Sequence, residues 1–320
     1  MSDYIRYEEE RIPDRQYNGA LKQTLDSSYL VANTAQGIEA RMYPGVHMSF
    51  DLANGIPLIT ERDMTTTAMS KLGGGPFWQQ AIGEILAILN GANTHEAFMK
   101  FGCYWWAPWA AKEECDKNNL PEGVLGEDGF YGPVLRSFKG ANGTVDQIER
   151  LIRRLTTPGA MYRRTNLVTS WDPSTVETAS FGHTMSCVPC HGTFQVTRCR
   201  DVHIEGQDVL HFHLKQRSGD LPVGIPQNMF QYAVLHLMLA KLTGCRAGIF
   251  SVTIADCHIY NTADGLTFKH VNEMISRVPY PFPKVLINTD FALKIEDFRV
   301  EHFDLVDYKH HPKIFFKVAV

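Results

Sequence analysis

Apolar residues recur at helical spacing from Phe77 to Leu89 (FWQQAIGEILAIL), and the run stops near Asn90-Gly91, so the pattern predicts a core helix there. A longer run, Asn228 to Leu242 (NMFQYAVLHLMLAKL), is strongly apolar and halted by Gly244, which predicts a second one. Between them the period changes to two. Gly192 to Arg200 and Val209 to Arg217 alternate apolar and polar residues around the turn-rich Glu205-Gly206-Gln207-Asp208, the signature of two strands joined by a reversal, and Gly248 to Tyr260 is a third β-rich run. With these bounds Cys190 opens one strand and Arg217 closes the next. No repeat, linker or composition break interrupts the pattern. The expectation is one α/β (α+β) domain over residues 1–320, with a polar N-terminal extension through about residue 15.

Composition narrows the class. The chain has 320 residues, 44% hydrophobic and 21% charged, with a net charge of −4, so it can bury a large core and exerts no general pull on nucleic acid. Any phosphate it binds must be gripped locally. Seven cysteines, an odd number at low density, argue against a disulfide framework and for a reducing cytoplasm. Neither a signal-peptide pattern nor an apolar run of ~18 residues is present, so neither export nor a membrane span is expected.

The chemistry concentrates in Val188-Pro189-Cys190-His191 and in the stretch from Arg217 to Asn228 (RSGDLPVGIPQN). Together they offer a thiol, an imidazole, a guanidinium and an amide, a set suited to covalent chemistry on an anionic small molecule. Thiolate is the attacking form of cysteine and a nearby cation favours it, so Arg217 and His191 are candidate activators of Cys190. A buried structural cysteine is the competing reading. Cys187-Val188-Pro189-Cys190 is also formally a CxxC which, with His183 and His191, could hold zinc or cycle as a disulfide. A structural zinc needs a second ligand pair, and a redox CxxC normally opens a helix rather than a strand, so neither is favoured and no metal is expected.

Five motifs in this order resemble the folate-dependent thymidylate synthase superfamily, from about Tyr17 to Val320. They are Gly83-Glu84-Ile85-Leu86, Arg163-Arg164, Pro189-Cys190-His191, the block from Gln216 through Asn228 to Tyr232-Ala233, and Asp256-Cys257-His258-Ile259-Tyr260. The resemblance implies a large mixed β-sheet packed by helices, with one sheet face forming a homodimer interface. It implies that Cys190 adds to C6 of a pyrimidine nucleoside monophosphate, so that C5 attacks the one-carbon unit of 5,10-methylenetetrahydrofolate. Asn228 and His191 would read the base, and Glu84 would move protons through ordered water. Gln216 would contact the nucleotide, and Arg217 and Ser218, with Arg163 and Arg164 from the partner subunit, would hold the phosphate. His258 and Tyr260 would reach the sugar hydroxyl. The folate would meet Trp106 as an apolar wall, Asp220, Val223 and Gly224, under a lid closed by Val320.

Departures from the family pattern shape the expected product. The family's RTGTG phosphate loop reads Thr34-Ala35-Gln36-Gly37-Ile38, leaving Arg41 as a substitute. The GPVYG tyrosine, whose hydroxyl serves a water network for abstracting the C5 proton, is Leu135, followed by Arg136. Trp106-Ala107-Pro108-Trp109-Ala110 replaces WDxWA, and residues 112–128 resemble an insertion. A wall altered at Leu135, Arg136 and Ala107 could admit a water to quench the exocyclic methylene, which favours 5-hydroxymethylation of dUMP, dCMP or CMP. The alternatives are dTMP formation from dUMP and, more remotely, a non-catalytic nucleotide-binding regulator. An amide can flip, so Asn228 leaves uracil and cytosine both open.

Overall fold

A computed structural model describes residues 5–32, 34, 37–66, 74–176, 185–289 and 294–318. After helix α1 (Gln16–Leu25), strands β1 (Tyr29–Val31) and β2 (Ala40–Asp51) lead to the first core helix, α2 (Phe77–Leu89). Short helices α3 (His95–Met99), α4 (Ala107–Ala110), α5 (Lys112–Lys117) and α6 (Tyr131–Arg136) precede a small hairpin, β3 (Phe138–Gly140) with β4 (Gly143–Val145). Next come α7 (Gln147–Thr156), β5 (Leu167–Val168), α8 (Pro173–Val176), β6 (Thr193–Arg200), β7 (Asp208–Asp220), α9 (Gly224–Thr243) and β8 (Arg246–Tyr260). Helix α10 (Leu266–Ser276) and a second two-stranded sheet, β9 (Lys284–Ile287) with β10 (Phe303–Val306), follow.

Six strands form the main sheet in the order β1-β2-β8-β7-β6-β5, antiparallel except for the central parallel pair β7 and β8. Parallel neighbours need a crossover, and α9 supplies it. The mixed sheet packed by helices that the resemblance implies is therefore present. One sheet face is the core, where Phe194, Phe212, Leu214, Phe250, Val252 and Ile254 are buried under α9. The other carries polar positions, among them His47, Ser49, His213, Lys215, Arg217, Ser251 and Thr253, all at least partly exposed. Among the described residues no helix is long and apolar enough to cross a membrane.

Several bounds differ from the sequence expectation for identifiable reasons. Helix α9 starts at Gly224, not Asn228, because Pro226 lies in the first turn, where its missing N–H would have no intrahelical partner. Asn228 is thus inside the helix and Val223, not Asn228, precedes it as N-cap. Strand β7 runs on to Asp220, so Arg217 lies within it. Strand β6 begins at Thr193, which leaves Cys190 in the bend ahead of it. That bend turns at Gly192, whose φ of 97° and proximity to Ser170 (2.8 Å from where a Cβ would sit) both exclude a side chain.

Candidate active site

The parallel pairing of β7 and β8 assembles most of the site. Ser218 stands opposite Asp256, Gly219 opposite Cys257 and Asp220 opposite His258, so two of the motifs become neighbouring strand ends. The bend carrying Cys190 is tied to this platform by the Arg217 N–H, which donates to the Cys190 carbonyl at 2.8 Å. The Arg217 side chain then folds back: Nε donates to the Pro189 carbonyl at 3.1 Å, and Nη2 reaches the Val188 carbonyl and Cys190 Sγ, both at 3.2 Å. Its other support is the Trp171 ring, 5.5 Å from the guanidinium carbon, a residue no sequence motif flagged.

The Cys190 thiol is lowered to about 7. The hydrogen bond from Cys187 contributes most, and Arg217 and His258 add to it, against a burial that favours the neutral form. Cys187 and Cys190 also both point their thiols at the Val188 carbonyl, at 3.6 and 3.5 Å. The CxxC is thus a thiol pair within the site. Both are free thiols, His183 lies outside the described residues, and no metal-competent cluster occurs among the described residues.

His191 does not activate the thiol as a cation. Burial drives its pKa down to about 3, so the ring is neutral; it stacks on Tyr131 (centroids 4.4 Å apart) and places Nδ1 2.8 Å from the Tyr232 hydroxyl. Tyr131 is a second unflagged residue. Its hydroxyl accepts the Cys190 N–H at 2.8 Å, so a phenol stands beside the nucleophile although Leu135, one turn along α6, lacks one. Arg136 turns away from the site, bound to Asp146, Glu296 and the Leu89 carbonyl, and so forms no part of its wall.

Glu84 approaches from α2. It is 4% exposed, and Oε1 accepts the indole N–H groups of Trp105 at 3.0 Å and Trp106 at 2.7 Å. Burial raises its pKa to about 7, with the two indoles and Gln231 opposing. Trp106, expected as an apolar wall for the folate, is buried among Phe98, Trp109, Phe130 and Tyr131, with its N–H committed to Glu84. Asn228 is 7% exposed, and its side chain makes no hydrogen bond among the described residues.

At the other end, Asp256 is held below the usual carboxylate range by its 3.0 Å bond to His258 Nδ1, with help from Arg217 and Ser218. Burial opposes charge on His258, but Asp256 and Asp220 outweigh it and raise the imidazole. Asp220 is itself pushed up to about 6 by burial, while its bond from the Val223 N–H lowers it. Among the described residues one of its oxygens, Oδ1, is buried without a partner, as is Gln216 Oε1. Tyr260 packs edge-on to His258 with centroids 4.8 Å apart. A Cβ on Gly224 would meet nothing within 4 Å, so the first turn of α9 is open there.

The site thus brings together a thiol near neutrality, a buried acid and two strand-end clusters of hydrogen-bonding groups. The sequence model of the thymidylate synthase family matches residues 15–320. The chain belongs to that family. A thymidylate synthase of Malacoplasma penetrans (strain HF-2) is 30% identical over 321 aligned positions, covering 96% of this chain and all of that protein. As a thymidylate synthase family member the chain is a one-carbon transferase of a family that uses methylenetetrahydrofolate as co-substrate. Not every family position is assembled within one chain. Arg163 and Arg164 are exposed between α7 and β5, and neither side chain makes a hydrogen bond or ion pair among the described residues. Arg41 donates to the Ser27 carbonyl at 2.6 Å. Ala35, Gln36 and Val320 lie outside the described residues.

Proposed function

We propose that the chain makes dTMP from dUMP and 5,10-methylenetetrahydrofolate as a homodimer. The observation that carries the reading is Cys190 Sγ at 3.2 Å from Arg217 Nη2, in a bend that also faces a buried, neutral-pH acid, Glu84. The Cys190 thiolate adds to C6 of the pyrimidine, and the negative charge that moves toward O4 is relieved by proton transfer from Glu84 through water. Asn228 holds the N3/C4 edge, with the neutral His191 beside it as in uracil-specific members. Arg217 and Ser218 take the phosphate with Arg163 and Arg164 of the partner chain. His258 and Tyr260 bind the sugar hydroxyl.

For the folate, Asp220 Oδ1, buried and unpartnered among the described residues, suits an N–H donor of the pterin, and the open space at Gly224 with Val223 beside it would let its ring approach. When bound, 5,10-methylenetetrahydrofolate supplies the one-carbon unit and, for methyl formation, the hydride. The expected hydroxymethylation rested on a hydroxyl lost at Leu135 and an opened wall. The Tyr131 hydroxyl at the nucleophile, the retracted Arg136 and the similarity to a named thymidylate synthase instead support the methyl product.

Incubation of the protein with dUMP, dCMP or CMP and labelled methylenetetrahydrofolate separates the outcomes. dUMP should give dTMP with one dihydrofolate formed per turnover. A 5-hydroxymethyl product with tetrahydrofolate returned would assign water as the final nucleophile, and nucleotide binding without any product would leave a regulator.

A further inference from the structure

Gln231 fills an unspecified position of the block from Gln216 to Ala233, between Asn228 and Tyr232, and it is a fully buried polar group. It is 0% exposed, and among the described residues neither Oε1 nor Nε2 meets a partner at hydrogen-bonding geometry. An unsatisfied buried polar atom destabilises a fold, so an amide with both ends unmet is a poor packing choice where Leu or Met would fit. Its place in the fold suggests why it is there. Gln231 follows Asn228 by one turn of α9, on the same side of the helix, and α9 packs against α2, which carries Glu84. Its side chain lies close enough to Glu84 to favour the carboxylate form. Both indole N–H groups end on Glu84 Oε1, so neither serves the other oxygen.

We infer that Gln231 is a positioning residue for Glu84, presenting its amide N–H to the carboxylate oxygen that the two indoles leave, so that the proton is exchanged with the base at one defined oxygen. The inference deepens the reading of Glu84 as the proton carrier and rests on it. A buried carboxylate can rotate about its terminal torsion; two indoles on one oxygen and an amide drawn to the other would fix it without supplying a competing charge. The other titratable groups that face Glu84 are Cys103, Cys187 and Tyr232, all raised well above their usual values, so they stay neutral near pH 7. Cys190 is the separate group titrating in the same range.

Gln231→Met keeps length and volume while removing the amide. With dUMP and methylenetetrahydrofolate, kcat should fall roughly tenfold or more, the size of one hydrogen bond to a charged group, with nucleotide Kd unchanged within about twofold. Whichever limb of the pH profile Glu84 governs should move to higher pH by about one unit, because the lost donor favoured the ionised form. Infrared titration of the Glu84 carboxyl, identified by its loss in Glu84→Gln, should show the same upward shift in the resting protein. Thiol alkylation against pH should leave Cys190 unmoved. An unshifted Glu84 carboxyl in Gln231→Met overturns the inference, whatever happens to kcat. If the wild type turns over no pyrimidine nucleotide, the proposed function fails, and the infrared titration still decides the role of Gln231.

Discussion

Only Cys190 occupies the family's nucleophile position, and Cys187 lies three residues before it. The Cys187 thiol gives the largest single contribution to lowering Cys190 to about 7. A hydrogen bond donated to a thiolate stabilises the charged form, so its loss must raise the pKa toward the ordinary thiol value of about 8.5. Cys187→Ala should therefore move the midpoint of Cys190 alkylation by iodoacetamide upward by about one unit and slow alkylation at pH 7 several-fold. Cys187→Ser keeps a donor and should retain much of the wild-type midpoint. Cys190→Ser should abolish turnover, since a serine hydroxyl is a far weaker nucleophile at this pH. Equal midpoints for Cys187→Ala and the wild type would return Cys187 to a packing role.

Among the elements, helix α2 shows what periodicity can convey. Its bounds, Phe77–Leu89, coincide with the apolar run, because a helix buried on nearly every side leaves a long unbroken signal. The role of Gly83 within it was not legible. A Cβ there would collide with the Phe101 carbonyl in the turn between α3 and α4, which leads directly to Trp105 and Trp106. Gly83 thus lets the turn sit low enough for both indoles to reach Glu84. Gly83→Ala should destabilise the fold by about 1–3 kcal/mol through overpacking, read as a lower Tm, and should depress kcat while reddening tryptophan emission as the indoles lose their carboxylate. A normal kcat with a lowered Tm would confine the effect to packing. The same limit explains the other omissions: Tyr131, Trp171 and Gln231 reach the site through packing between elements distant in sequence, whereas Cys190, Arg217 and Asp220 were announced by local motifs. Pro226 and Gly224, read as loop, hid the first turn of α9.

At the scale of the whole molecule, the unresolved account is one of charge. A nucleotide phosphate carries up to two negative charges, while the chain's own site offers the single guanidinium of Arg217, already bonded to two carbonyls. With a net charge of −4 the molecule supplies no general attraction to make up the deficit. Arg163 and Arg164 are exposed and unpaired among the described residues, on the loop leading into β5 at the sheet's edge, and the polar sheet face bearing His47, His213, Ser251 and Thr253 is available for a two-fold pairing. A two-fold operator would carry each arginine pair to the other subunit's phosphate. An Arg163→Ala/Arg164→Ala double variant should raise nucleotide KM, and Cys190→Ala should be inactive. A hybrid of the two holds one complete site, built from the thiol of one subunit and the arginines of the other. Random reassortment of equal amounts makes half the dimers hybrid, so activity at subsaturating dUMP should recover to about a quarter of wild type. If hybrids form, as tagged pull-down can establish, and activity does not recover, the arginines serve their own chain and the phosphate site must be completed from within it.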